Sequence, residues 1–261
     1  MTSILMAVLC LWQAGPYTRE QVDSIDIEPG TSIEVSNVNG DISILGWERD
    51  FVEIKSTMKT EHDSSEFKRV AIKISAGDPL RIETKYEKSG SQHKSINVSV
   101  DYVIRVPARA GDLNVELVNG DLDVKGVPGD ARVSCVNGDI DLRDIGGVVK
   151  AECVSGDILI QGAAVLREAS TVSGDIEVKV AALADAGVDL SSVSGSIRLV
   201  VDKGLDADLD LATISGDVMV RGLDVKDMDG SRHHVRGVLN RGGVKISIST
   251  TSGEIAVLAG E

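Results

Sequence analysis

Apolar and polar residues alternate with a period of two along most of this chain. In the segment Val148 to Gly162, Ala151 and Cys153 share one side of a strand, and Lys150 and Glu152 take the other. Ile158 and Ile160 then alternate with Asp157, Leu159 and Gln161. That period is the signature of a β-strand with one buried face. Between the two runs stands a small polar residue followed by glycine, a step that lets the backbone turn where a β-carbon would clash. Each unit therefore reads as strand, sharp corner, strand.

The corner phrase occurs eight times: VNGDISI from Val38, VNGDLDV from Val118, VNGDIDL from Val136, VSGDILI from Val154, VSGDIEV from Val172, VSGSIRL from Val193, ISGDVMV from Ile214 and TSGEIAV from Thr251. Gly120, Gly138, Gly156 and Gly174 are 18 residues apart, Gly195 and Gly216 follow at steps of 21, and Gly253 at 37, about two steps. A repeat this short cannot bury its own apolar face, so it must stack on its neighbours. Aligned, the copies give three columns. One holds Leu122, Ile140, Ile158, Ile176, Ile197 and Val218; a second holds Val124, Leu142, Ile160, Val178, Leu199 and Val220. The third is smaller and suits a tight corner: Leu117, Cys135, Cys153, Thr171, Ser192 and Thr213. The predicted fold is all-β, a single-chain parallel β-solenoid (β-helix) of 18–21-residue coils. Eight coils stacked about 4.8 Å apart would make a rod on the order of 40 Å long.

Two stretches break the rhythm. Residues 51–107 hold the longer alternating runs FVEIKSTMK, RVAIKIS, LRIETKYE and INVSVDYVIRV. They predict ordinary antiparallel strands joined by polar turns at His62–Glu66 and Lys88–His93, inserted in or abutting the start of the solenoid. Residues 222–243, rich in Asp, Arg, His and Gly, predict a surface loop or hairpin. Val180–Ala186 is the one helix-like stretch and reads as a single turn. Residues 16–261 are expected to form one solenoid domain, with regular repeats over 111–261.

Charge and composition then narrow the function. A net charge of −14 opposes nucleic acid, whose phosphates need clustered Lys and Arg, and an anionic lipid surface. The apolar run Ile4–Trp12 is too short to span a bilayer, so no transmembrane span is expected in the mature chain. At the N-terminus it reads as the core of a signal peptide over residues 1–15, or else as a capping strand. Three cysteines make no disulfide framework. Cys135 and Cys153 share a column, but in-register stacking aims their side chains alike, which predicts two buried thiols.

The V-[NS]-G-D-[IL] repeats, the segment Val100–Asp121 and the closing GGVKISISTTSGEIAV together resemble the bacterial putative adhesin family of β-strand-repeat proteins. The resemblance covers about residues 22 to 261. It implies a β-solenoid in an extracytoplasmic setting, in the periplasm, at the cell surface or secreted, and no established activity. Ser196 and Glu254 depart from the repeat aspartate.

No reaction chemistry stands out. Asp121, Asp139, Asp157 and Asp175 form a predicted ladder of carboxylates that repel one another. Either hydrogen bonds to turn amides of the same or next coil compensate, or Ca²⁺ does; these four are the only metal candidates carried forward. Asp227, Asp229 and His233 match no strong zinc spacing. Hydrolysis of a polysaccharide would need a tuned carboxylate pair in a groove, whereas the acids here recur by repeat. No nucleophile elbow or phosphate loop is present. The reading is a protein without catalytic residues or cofactor, binding or scaffolding an envelope protein or polysaccharide. A carbohydrate-active β-helix enzyme and a Ca²⁺-dependent structural module are the alternatives.

Overall fold

The structure, a computed structural model, describes residues 7–9, 17–87, 96–180, 183–185 and 187–260. Cys10, Ala14, most of Ile4–Trp12, the turn Lys88–His93 and residues 181, 182 and 186 of the helix-like stretch lie outside the described residues. The chain divides into two compact units, Met1–Pro128 and Gly129–Glu261.

The first unit contains β1 (Ala7–Leu9), β2 (Tyr17–Asp26), β3 (Ile33–Asn39), β4 (Ile42–Trp47), β5 (Phe51–Thr60), β6 (Val70–Ser75), β7 (Leu80–Tyr86), β8 (Ser99–Pro107), β9 (Leu113–Asn119) and β10 (Leu122–Lys125). Its strands lie in two sheets, in the orders β1-β2-β5-β8-β4-β10 and β9-β3-β7-β6. The phrase at Asn39–Asp41 turns the chain from β3 into β4, one strand in each sheet. The coil β9/β10 stacks on β3/β4 in register, Leu113 beside Ile33 and Leu122 beside Ile42.

The stretch 51–107 is only partly the antiparallel insertion expected. β5 runs antiparallel to β2 and β8, and β6 to β7. But β7 and β8 also pair parallel with β3 and β4, with Leu80 beside Ile33 and Tyr102 beside Ile42. They form a further coil, laid on the opposite side of β3/β4 from β9/β10. Alternation cannot distinguish the two pairings, because both present the same inward column. Here that column is Leu80, Ile82, Tyr102 and Ile104, all buried. The turn at His62–Glu66 runs into a 3₁₀ helix, Ser64–Arg69, capped by Asp63, whose carboxylate accepts from the Ser65 amide.

The second unit contains β11 (Ala131–Asn137), β12 (Ile140–Arg143), β13 (Val148–Ser155), β14 (Ile158–Ala163), β15 (Val165–Ser173), β16 (Ile176–Val180), β17 (Val188–Ser194), β18 (Ile197–Val201), β19 (Ala207–Ser215), β20 (Val218–Arg221), β21 (Val225–Ser231), β22 (His234–Leu239), β23 (Val244–Ser252) and β24 (Ile255–Ala259). One sheet has the order β12-β14-β16-β18-β24-β20 and the other β21-β22-β19-β23-β17-β15-β13-β11. Register is exact along the core: Ile140 beside Ile158, Ile158 beside Ile176, Ile176 beside Ile197. These side chains are at most 1% exposed, as are Leu142, Ile160, Val178 and Leu199. Burying each contributes about 1.5–3 kcal/mol.

Chain order and stacking order part company at the end of this unit. The coil β23/β24 lies between β17/β18 and β19/β20, with Ile255 flanked by Ile197 and Val218. The step of 37 residues to Gly253 therefore is not a move two coils onward. The chain overshoots by one position at β19/β20, makes the antiparallel hairpin β21–β22 against β19, and returns to fill the position it passed over. The segment 222–243 is that hairpin.

Candidate functional site

The repeated corner is built by two hydrogen-bond ladders. The first uses the aspartates. Asp139 Oδ1 accepts from the Asp157 amide at 2.8 Å, Asp157 Oδ1 from the Asp175 amide at 2.7 Å, and Asp175 Oδ1 from the Ser196 amide at 2.7 Å. In the first unit Asp41 Oδ1 accepts from the Asp121 amide at 3.0 Å. Two carboxylates one coil apart, about 4.8 Å, repel by about 0.9 kcal/mol in water. A hydrogen bond to a charged acceptor contributes about 1.5–3 kcal/mol. The amides therefore offset the repulsion without a cation. Among the described residues no group of three or more His, Cys, Asp or Glu is arranged to hold a metal.

The second ladder occupies the small third column and explains its polarity. Five corner glycines of the second unit leave an inward carbonyl that the neighbouring coil satisfies. Cys153 Sγ donates to the Gly138 oxygen (3.4 Å), Thr171 Oγ1 to Gly156 (3.2 Å), Ser192 Oγ to Gly174 (3.2 Å), Thr250 Oγ1 to Gly195 (3.0 Å) and Thr213 Oγ1 to Gly253 (3.0 Å). Cys135 and Cys153 are not disulfide-bonded; both are buried, side by side in register.

The hairpin closes both ladders. Where a further coil would present its aspartate, the turn presents Arg232: its carbonyl accepts the Val218 amide at 3.0 Å and its guanidinium pairs with Asp217. His233 Nδ1, as donor, meets the Gly216 carbonyl at 2.7 Å, where a Thr hydroxyl would otherwise be. Its neighbour His234 points Nε2 at Asp210, 3.1 Å away, beside Arg236 and Lys245. These partners, the His234 hydrogen bond foremost, hold the Asp210 carboxyl below its ordinary pKa. Arg232 does the same to Asp217. Asp227 and Asp229 lie exposed on β21, so the structure does not bring them together with His233 as a metal centre.

One surface row escaped the sequence reading. The first residue of the phrase points outward, yet on four successive coils it is aliphatic: Val136, Val154, Val172 and Val193 are 40–51% exposed; Thr251 follows in the stack, and beyond it Ile214 is 76% exposed. Val38 and Val118 are its counterparts in the first unit. The signal was available, because Cys135 and Cys153 point inward and their successors must point outward. Across the glycines from this row run the exposed carboxylates Asp139, Asp157 and Asp175. The corner of the second unit thus carries an apolar row and an acidic row, with Asn137, Ser155, Ser173 and Ser194 between them.

The first unit has a different feature at the corresponding corner. Between β7 and β8 no short phrase turns the chain; the connection runs through residues 87–98. A cleft of about 650 Å³ in this unit is lined by Asn39, Lys59, Thr60, Glu61, His62, Ile96, Asn97, Val98 and Ser99. Lys59 Nζ pairs with Asp101 at 2.5 Å, which raises the ammonium's pKa. Tyr86 donates its hydroxyl to the Val98 carbonyl at 3.0 Å. Deeper in, Tyr102 bonds to Thr84 at 2.7 Å, and burial pushes its phenol up to about 12.

Stacked parallel coils closed by glycine corners define an all-β repeat protein. Residues 20–258 match the family described as Toastrack DUF4097, and the chain belongs to that family. Solved structures similar to it include a putative cell adhesion protein from Clostridium sporogenes, 14% identical over 92% of this chain and 100% of that one, TM-score 0.41. A putative adhesin from Bacteroides fragilis is 14% identical over 92% and 96%, TM-score 0.35. A putative lipid binding protein from Parabacteroides distasonis is 15% identical over 95% and 98%, TM-score 0.35. No curated protein matches the sequence.

Proposed function

We propose that this protein is a non-catalytic, adhesin-like binding or scaffold protein of the extracytoplasmic space, exported by a signal peptide over residues 1–15. Its partner is an envelope protein or polysaccharide. The observation that carries this reading is the corner of the second unit. It repeats one outward pair, aliphatic at Val136, Val154, Val172 and Val193 and acidic at Asp139, Asp157 and Asp175, at a fixed step. A periodic surface of this kind suits an extended partner engaged at many equivalent points. Catalysis instead needs one place that differs from the rest, and the carboxylates of the corner are bound to amides alike. The aliphatic row adds an apolar component to a contact that composition alone suggests is purely polar.

Immobilised protein titrated with envelope polysaccharide and envelope protein fractions tests the reading. Saturable binding without turnover is expected, weakened by Val154→Ser combined with Val172→Ser. Turnover that a single carboxylate substitution abolishes would establish an enzyme instead. Fractionation with N-terminal sequencing tests the location: an intact Met1 in the cytoplasmic fraction would overturn it.

A further inference from the structure

We infer that the open edge of β20 is a docking site for an extended peptide segment of a partner protein, which adds to it as a further strand. The site is separate from the corner contact proposed above. β20 is the last strand of its sheet. Successive residues of a parallel strand turn their backbone groups to opposite neighbours. The Ile255 amide of β24 donates to the Asp217 carbonyl, so Val218 and Val220 face the other side. There the Val218 amide donates to the Arg232 carbonyl of the hairpin turn at 3.0 Å. Beyond that bond no strand of the described residues pairs with β20, which leaves the Val218 carbonyl and both backbone groups of Val220 at the edge.

Backbone amides and carbonyls at strand spacing are matched by another extended backbone. The side chains fit the same occupant. Val218 and Val220 are half-buried, whereas the residues of their columns from β12 to β18 are at most 1% exposed. The opposite sheet runs two strands further, through β22 and β21. Val235 and Leu239 of β22 stand beside Leu211 and Ala207 and share their inward face. A strand added to β20 would lie opposite β22 and bury one alternate set of its side chains against Val218, Val220 and Val235. A second copy fits less well: edge to edge, its own hairpin would meet this one before the two β20 strands touched. The edge of the longer sheet is defended by Lys226, Asp227 and Asp229 and by the irregular register of β21, a guard against strand addition. β20 has no charge before Arg221. That arginine, exposed and on the outward side, favours an acidic residue opposite it in the arriving strand.

The test uses the full-length protein and the fluorescence anisotropy of labelled seven-residue peptides that alternate glutamate and valine. The parent peptide should bind saturably. One probe is N-methylated at its valine amides and another at its glutamate amides. A docked strand turns only one of those sets toward β20, so one probe should bind about tenfold or more weaker while the other keeps the parent's affinity. Val220→Pro removes the edge amide and should abolish binding, while Val154→Ser with Val172→Ser leaves it unchanged. The methylated pair needs no variant, so it reads the edge even where Val220→Pro lowers the melting temperature. Absence of saturable binding at millimolar peptide would overturn the inference, as would equal binding of the two methylated probes. So would a concentration-dependent dimer that Val220→Pro dissolves, which would give the edge to a second copy. Because the corner variants report on the corner separately, peptide docking can fail while polymer binding at the corner persists.

Discussion

Gly174 carries more constraint than any catalytic-looking side chain in this protein. Its φ is +151°, and a β-carbon there would collide with the carbonyl oxygen of Gly156, the atom that Thr171 caps from inside. Gly174→Ala therefore meets both backbone strain and a backbone atom that cannot step aside. The expected loss is at least about 2 kcal/mol, read as a fall in melting temperature. A paired experiment tests the inward column. Ile158→Asp places a charge where exposure is 1% and should cost several kcal/mol, on the order of 3–5. Leu159→Asp, one residue on and half-buried on the outer side, should stay within about 0.5 kcal/mol; equal melting temperatures for the two would invert the sidedness of the coil. The same ladder predicts indifference to calcium. The Asp157 and Asp175 oxygens that would ligate already hold amides, so millimolar Ca²⁺ should leave the melting curve in place, whereas a large upward shift would establish a cation site.

Among the elements, legibility followed periodicity. The coils from β11 to β18 could be read because each inward residue recurs at a fixed step; Ile140, Ile158, Ile176 and Ile197 sit where the alignment put them. Placing β7/β8 outside β3/β4, and β23/β24 inside β19/β20, could not be read. Such choices depend on which edge is vacant when a strand docks, and every coil offers the same column to every other. The cleft was hidden for a related reason: it is lined by residues of β5 and of the β8 approach that are distant in sequence. The inserted coil has an energetic consequence. β20 finds its strand partner in β24, and β19 finds its parallel partner in β23. Deleting residues 244–261 should therefore cost amide protection across 207–239 as well, while 131–180 stays protected in hydrogen exchange. Protection retained over β19 and β20 would show that the hairpin suffices to hold them.

Acid should act on the same region of the second unit first. The folded-state pKa of Asp210 is depressed by His234, Arg236 and Lys245. Its contribution is present above the ordinary carboxylate pKa and is lost as pH falls through the lowered folded value. At about pH 3, near the ordinary aspartate range, β22 amides should exchange faster relative to their intrinsic rates than at neutral pH. Asp210→Asn should flatten that difference. An unchanged profile in the wild-type chain would remove the carboxylate from any part in holding the hairpin.

At the scale of the whole chain, two units of parallel coils carry two different surfaces, a periodic corner in the second and a non-repeating cleft in the first. The corner hydrogen bonds of the second unit have a consequence for inheritance. Every bond in both ladders runs from one coil to the next, and the coils of Gly156 and Gly174 each contribute one donor and one acceptor of each kind. An in-frame duplication or loss of one repeat between Gly138 and Gly174 would leave each surviving corner with the partners it needs. Such copying errors, ruinous in most folds, would here change only the length of the acidic and aliphatic rows. The number of contact points offered to a partner could then drift in steps of one, with the hairpin's Arg232 and His233 still closing the end.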